Sequence, residues 1–337
     1  MDHVVVRRSL TGGEIRPDQA PGGSEMSQGV SVIVCTYQRA ASMRRFLDSL
    51  AHQDRRAARL VIVDASPDDS TERMLAGQSD PAAWGGEVWY FRVAGPLRGL
   101  TRQRNFGLHW VCSDLVAFFD DDIVLAPACL GVMENVHRLL GEGVVGVGAY
   151  REGRRGPPGA LWRVRRALGV VATLNPGTYQ RSGMSIPWSF LDPTDAVTDG
   201  DYLPGGATMW KTAVLRDLGF NEAFAGYGQG EDLEFSLRAR RKGRLVLAGG
   251  ARLRHLHEEG GRPDNFRLGY MAIHNRFLIH REGLDDRSWR DIVWFVYAWG
   301  IDTLMMMRQM VFPSRCIPVL QQLGGRLKAV LDLMRGK

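Results

Sequence analysis

Leu115-Val116-Ala117-Phe118-Phe119-Asp120-Asp121-Asp122 decides how the chain is read. Five apolar residues in succession are the length of one strand buried on both faces, as in a sheet covered by helices. The run stops abruptly at three carboxylates. Adjacent acids at the end of a buried strand repel one another, and the low dielectric there sharpens the repulsion. A divalent cation relieves it, and hard oxygen ligands favour Mg2+ or Mn2+, which take one or two protein carboxylates and complete their shell with water and substrate phosphates. Acidic surface loops are common, and it is the position directly after Phe118-Phe119 that favours a metal here.

On either side, short β-branched runs alternate with helical stretches, the pattern of an α/β fold with a largely parallel sheet flanked by helices. Strands are expected at residues 30–35, 60–63, 88–93, 115–119 and 144–149, then at 207–210, 245–247 and 252–255. Helices are expected at 40–52, with Phe46, Leu47 and Leu50 on one face, at 100–111 and at 231–242. Residues 151–166, with six arginines and Pro157-Pro158, read as a mobile basic loop, either solvated or facing anionic substrate groups. Residues 1–29 are dotted with turn residues and lack an apolar core of signal-peptide length, so they are expected to be a disordered leader with Met26 as the true start.

A length of 337 residues accommodates one large domain or two smaller ones, and 45% apolar with 24% charged residues excludes disordered and collagen-like chains. The four cysteines, Cys35, Cys112, Cys129 and Cys316, form no CxxC pair, which argues against a disulfide framework or zinc cluster and for a reducing cytosol. The net charge of +6 is concentrated late: residues 287–337 carry eight basic and three acidic side chains. A local excess of this kind argues against nucleic acid as a partner and for a local anionic one, such as an acidic membrane surface.

In parallel sheets ligands bind beyond the carboxyl ends of the strands. Three strand ends here carry polar groups: Thr36-Tyr37-Gln38-Arg39, Asp64-Ala65-Ser66 and Asp120-Asp121-Asp122. Neither G-x-G-x-x-G nor G-x-x-x-x-G-K-[ST] is present at the first loop, so a Rossmann dinucleotide site and a Walker-type ATP site are unsupported.

Taken together, the first strand and loop (residues 30–39), Val63-Asp64-Ala65-Ser66, residues 99–108 with Arg104-Asn105, Phe119-Asp120-Asp121-Asp122 and Gly230-Glu231-Asp232 resemble the successive motifs of glycosyltransferase family 2. They occur in the family's order between about residues 30 and 257. The resemblance implies a GT-A fold (nucleotide-diphospho-sugar transferase-like) and an inverting, metal-dependent transfer from a nucleotide sugar. The domains would be a leader (1–29), a GT-A catalytic domain (30–260) and a C-terminal helical segment (261–337).

The same resemblance assigns roles. Thr36, Tyr37 and Asp64 would hold the nucleoside, Arg104 and Asn105 would shape the donor pocket, and Asp120 and Asp121 would bind the donor. Asp122 would bind Mn2+ or Mg2+, joined by His255, whose neighbour His257 shares its strand face. Asp232 would be the catalytic base, as an inverting displacement requires the acceptor hydroxyl to lose its proton; Glu231 and Gly205-Gly206 would face the acceptor or donor sugar. Any first helical turn favours acids, so Glu231 and Asp232 also have a purely structural explanation. Ala65 stands where the family often has a second acid. UDP is the default nucleotide, and Ala65 leaves dTDP and GDP open.

Residues 292–301 are uninterruptedly apolar and aromatic, but Asp302 and Arg308 cut the run short of a membrane span. They suit an interfacial helix on an anionic membrane, or else a helix packed on the main domain or in a dimer. The expected protein is a bacterial glycosyltransferase of polysaccharide or glycoconjugate biosynthesis, cytoplasmic and peripheral on the inner face of the membrane, acting on a glycan or lipid-linked acceptor. The alternatives are a sugar-phosphate nucleotidyltransferase, which would normally show a glycine-rich first loop, and a non-catalytic membrane-associated scaffold of the same fold.

Overall fold

Val32 and Val34 point to one side of the first long strand and Ile33 to the other, and all three are fully buried. That alternation is what a strand covered on both faces must show. The computed structural model describes residues 4–10, 27–153, 158–224, 226–256, 264–284 and 286–336.

In chain order the elements are β1 (Val4–Ser9), β2 (Ser27–Thr36), α1 (Ala40–Ala51), β3 (Arg59–Asp64), α2 (Ser70–Ala76), β4 (Glu87–Val93), α3 (Leu100–Leu108), β5 (Ser113–Asp120), β6 (Ile123–Leu125), α4 (Cys129–Leu140) and β7 (Val144–Arg151). They continue with α5 (Ala160–Ala167), β8 (Val197–Gly200), β9 (Ala207–Lys211), α6 (Thr212–Leu218), α7 (Glu231–Ala239), β10 (Arg244–His255), α8 (Asn265–Gly283), α9 (Trp289–Met307) and α10 (Pro313–Met334). Two compact units result: Met1–Arg155 with Pro193–Gly261, and Gly156–Asp192 with Arg262–Lys337.

The first unit is a sheet in the order β1-β4-β3-β2-β5-β9-β7-β10-β6, with β8 also paired to β10. Strands β4, β3, β2 and β5 are mutually parallel, β9 runs antiparallel between β5 and β7, and β7 is parallel to β10. Met43, Phe46 and Leu47 of α1 and Leu130 and Met133 of α4 pack on one face with Phe119; Leu108 of α3, Leu215 of α6 and Phe235 of α7 pack on the other with Phe118. Each fully buried side chain of this kind contributes roughly 1.5–3 kcal/mol, so the sheet is a rigid platform for whatever stands at its strand ends.

Three expectations are corrected. Val4–Ser9, inside the expected disordered leader, is an edge strand paired antiparallel with β4; residues 11–26, including Met26, lie outside the described residues. The strands expected at 245–247 and 252–255 are one strand, β10, whose register shifts between Ala248 and Arg252. Gly249 in that irregularity lies so close to Thr194 O that an added Cβ would stand 2.2 Å from it, which explains why glycine interrupts the apolar pattern without ending the strand. The basic segment 151–166 contains the start of helix α5, and of it residues 154–157 lie outside the described residues. Its flanking glycines and prolines read as loop, yet the sequence from Ala160 to Ala167 contains no helix breaker.

The second unit is helical. Its helices α8 and α10 touch backbone to backbone: a Cβ on Gly269 would meet Gln322 O at 2.1 Å and one on Gly325 would meet Phe266 O at 1.9 Å. Val170, Val171, Met184, Ile186 and Ala298 form its small core. Asp302, which breaks the apolar run of α9, accepts from Arg165 at 2.5 Å and Arg326 at 3.2 Å. Asp291 caps the start of α9 through Ser288 N–H at 2.7 Å and receives two bonds from Arg181, at 2.7 and 2.8 Å. Among the described residues no helix is long and apolar enough to cross a membrane.

Candidate active site

Sheet register assembles the site. Thr36 pairs with Asp64 across β2 and β3, and Cys35 with Asp120 across β2 and β5, so the three polar strand ends lie side by side. Antiparallel β9 begins opposite the end of β5, with Phe119 facing Ala207, and this puts Gly205-Gly206 beside the aspartates. His255, the last residue of β10, pairs with Ile123 at the start of β6 and thereby stands next to Asp122.

The three consecutive aspartates diverge. Asp120 and Asp122 turn toward His255, and a ligand atom from each of the three lies within 4.8 Å of the others; His255 Nε2 is 3.4 Å from Asp122 Oδ1. Two carboxylates and an imidazole within that span are a donor set for a divalent cation such as Mn2+ or Mg2+. The charges explain the titration: burial pushes the Asp120 carboxyl above the usual range, against Arg104, with Asp122 adding repulsion; burial pulls His255 down, against Asp122. Asp120, expected on the donor, thus joins Asp122 and His255; His257 lies outside the described residues.

Asp121 turns the other way. Its Oδ2 accepts from Thr36 Oγ1 at 2.6 Å and its Oδ1 from Arg39 Nη1 at 3.1 Å, while the same Arg39 nitrogen reaches Asp122 Oδ2 at 3.3 Å. Burial pushes Asp121 up to about 7 although the Thr36 bond and the Arg39 charge pull it down. Arg39 follows Gln38, whose φ of 54° makes it the one left-handed non-glycine among the described residues. Gln38 N–H donates to Ser66 Oγ at 2.7 Å, which ties the first strand-end loop to the second.

Several assigned residues make internal hydrogen bonds. Asp64 is fully buried; its oxygens accept from Ser66 N–H at 2.7 Å and Tyr90 Oη at 3.0 Å, so it shapes the loop instead of facing outward. Asn105 clasps Phe220, donating to its carbonyl at 2.9 Å and accepting from its N–H at 2.8 Å. Thr36 is buried, whereas the Tyr37 ring is exposed. Gln103, which carried no expected role, donates to Val63 O at 2.8 Å and Thr36 O at 3.2 Å and pins both strand ends from beneath. Arg39 also had no assigned role, and its signal was a base one loop away from three acids.

Asp232 and Glu231 open α7 behind Gly230, whose φ of 89° allows the entry. Asp232 Oδ2 accepts from Gly205 N–H at 3.0 Å and its Oδ1 from Leu233 N–H at 2.8 Å. Both glycines are required by proximity: a Cβ on Gly205 would lie 2.7 Å from Asp232 Cβ, and one on Gly206 would lie 2.8 Å from Asp120 Oδ2. Buried Arg104 joins the two acidic groups, donating to Glu231 Oε1 at 3.0 Å and Gly205 O at 3.3 Å, with Asp120 Oδ1 at 3.6 Å. Burial and neighbouring Asp232 push Glu231 up to about 8 despite Arg104.

A parallel nucleotide-type half-sheet, an antiparallel strand delivering two glycines, and paired aspartates with a histidine at the strand ends define the class: a GT-A glycosyltransferase fold. Residues 31–195 match the family model of glycosyl transferase family 2. No curated protein matches the sequence.

Solved structures share the fold at low identity. GalNAc-T7 with UDP, GalNAc and Mn2+ aligns at a TM-score of 0.51 and 16% identity over 70% of this chain. The mannosyltransferase PcManGT from Pyrobaculum calidifontis with GDP-Man and Mn2+ aligns at 0.51 and 17% over 90% of this chain and 76% of its own, and S. aureus TarS 1-349 at 0.50 and 17% over 90% and 81%. This chain spans 45% of the GalNAc-T7 chain.

Proposed function

We propose that this protein moves a sugar, with inversion, from a nucleotide sugar, most readily a UDP-sugar, to a hydroxyl of a glycan or lipid-linked acceptor in polysaccharide or glycoconjugate biosynthesis. The observation that carries the reading is the convergence of Asp120, Asp122 and His255 with Asp232 around Gly205-Gly206. The structural relatives bind UDP or GDP-Man with Mn2+, which supports the same donor class here.

Asp120, Asp122 and His255 would hold Mn2+ or Mg2+, which supplies positive charge for a departing diphosphate. Thr36 and Tyr37 line the nucleoside end, with Asp64, Gln103 and Asp121 fixing the loop that carries them. Arg104 holds Glu231 and Gly205 in place, and Asn105 secures the adjoining Phe220 segment. The acceptor oxygen bonds to the anomeric carbon as the bond to the diphosphate oxygen breaks, and Asp232 takes the hydroxyl proton. A single displacement of this kind inverts the anomeric centre. The site would be cytoplasmic, in residues 30–260, on a protein peripheral to the inner face of the membrane.

Calorimetric titration of UDP, dTDP and GDP, with Mn2+ and after chelation, tests the donor site in the wild type and in Asp122→Ala. Metal-dependent binding of one nucleotide, weakened at least ~100-fold by the substitution, is expected. Binding of none by the folded protein would overturn the reading.

A further inference from the structure

Charge divides unevenly between the two units. The first carries 27 basic and 29 acidic side chains, the second 16 and 8, so the second holds +8 against −2. The more basic unit is also the one with apolar residues on its outside.

Helix α9 shows this most plainly. Trp289, Val293, Val296, Gly300, Leu304 and Met307 recur at three- and four-residue intervals, which places them on one stripe about 27 Å long. Every one of the six is exposed, Trp289 at 70% and Val296 at 64%. The inward stripe, with Phe295, Ala298 and Met306, is apolar too. A helix apolar all round is expected inside a core or in contact with lipid, and α9 is not inside a core. Beyond it, Val311 and Phe312 are exposed, and α10 presents Ile317, Leu320, Leu327, Leu331 and Met334 outward.

We propose that the outward apolar face of α9 and α10 is a docking surface for an anionic lipid bilayer, in which the protein lies at the interface without spanning it. Charge complementarity selects this occupant. Arg287, Arg290, Arg308 and Arg315 flank the apolar residues and are exposed; an anionic surface attracts such side chains, and salt screens the attraction. Trp289, Trp294 and Tyr297 supply the aromatic character favoured at a membrane–water boundary. A second copy of the chain fits less well. Although the outward residues of α10 follow a 3-4 spacing, Asp332 beside Leu331 is buried and bonded to Lys328, whereas Arg290, Arg308, Arg315 and Arg335 are exposed at the borders of the α9 and α10 faces, so two such faces would bring like charges together.

This names the surface behind the membrane-peripheral reading given above, and its test does not involve transfer chemistry. Co-sedimentation of the full chain with vesicles of phosphatidylcholine alone, or containing phosphatidylglycerol, measures binding directly. Binding to the phosphatidylglycerol vesicles is expected, weakening with added salt, falling at least tenfold in Val293→Glu/Val296→Glu and several-fold in Arg290→Gln/Arg308→Gln/Arg315→Gln. UDP titration of the same variants should be unchanged, which separates failure of this surface from failure of the donor site. Equal binding to both vesicle types, or no vesicle binding by the folded wild type, would overturn the proposal. So would a sedimenting dimer that Val293→Glu/Val296→Glu dissociates while vesicle binding stays absent.

Discussion

In the first unit four acids gather at the strand ends; in the second, Asp291 and Asp302 are matched by arginines. Asp120, Asp122, Glu231 and Asp232 sit near one another with Arg104 as the central buried cation, whereas Asp291 has Arg181 and Asp302 has Arg165 and Arg326. Acids gathered around too few cations make a site that needs a ligand. Acids matched by arginines make a scaffold. The distinction also follows charge, as the near-neutral unit holds the reactive groups and the basic unit presents apolar and cationic surface.

The strongest way to break this comparison is Asp232→Asn. Turnover should fall ~10^2–10^4-fold while UDP affinity with Mn2+ stays within about twofold, because an amide keeps the shape and cannot accept the proton. A loss of nucleotide affinity as large as the loss of rate would place Asp232 in binding and blur the division of roles.

Acid stability sharpens the comparison next. His137 of α4 is buried against Met209 O at 3.1 Å, and burial pulls its imidazole down to about 4. Between pH 6.5 and 4 the unfolded chain binds the extra proton, so this contribution is complete above pH 6.5 and disappears as pH falls to 4. It amounts to on the order of 3 kcal/mol. Urea denaturation at pH 7.5 and 5 should show the first unit losing stability, and His137→Gln should flatten that dependence.

Gly205→Ala probes the close approach at the site. The new methyl must displace Asp232 together with its backbone, and a ~10–100-fold loss of transfer rate with a lowered melting temperature is expected, as for a displaced catalytic group. Normal rates would show that Asp232 has room to move.

The smallest effect belongs to the second unit. Arg181 holds the Asp291 carboxyl well below the usual range, so the pair stabilises above the unfolded carboxylate pKa of about 3.9 and its contribution is lost as pH falls below that. Arg181→Ala should cost about 0.5–1 kcal/mol at pH 7, measured by thermal denaturation, and nothing in nucleotide binding.

Much of the first unit was legible in the chain itself. Residues 30–35, 60–63, 88–93 and 115–119 are strands because two-faced burial demands continuous apolar runs, and burial on both sides is what the structure shows. Helix α4 escaped a reading based on alternation with strands, and β1 escaped because turn residues surround it. The individual acids of Asp120-Asp121-Asp122 could be recognised as a group but not told apart. Sequence adjacency does not say which way a side chain faces at a strand end.

The amino-acid order alone determined which residues form the sheet, that acids follow its fourth long apolar run, and that a basic, aromatic segment closes the chain, since these depend on local pattern and charge. Tertiary structure alone decided that Asp121 turns to Thr36 and Arg39 while Asp120 and Asp122 turn to His255, that Asp64 is a support, and that two glycines admit Asp232 to the site. Those outcomes depend on strand register between residues up to 132 positions apart, from Ile123 to His255, and register is set by the packing of the whole sheet.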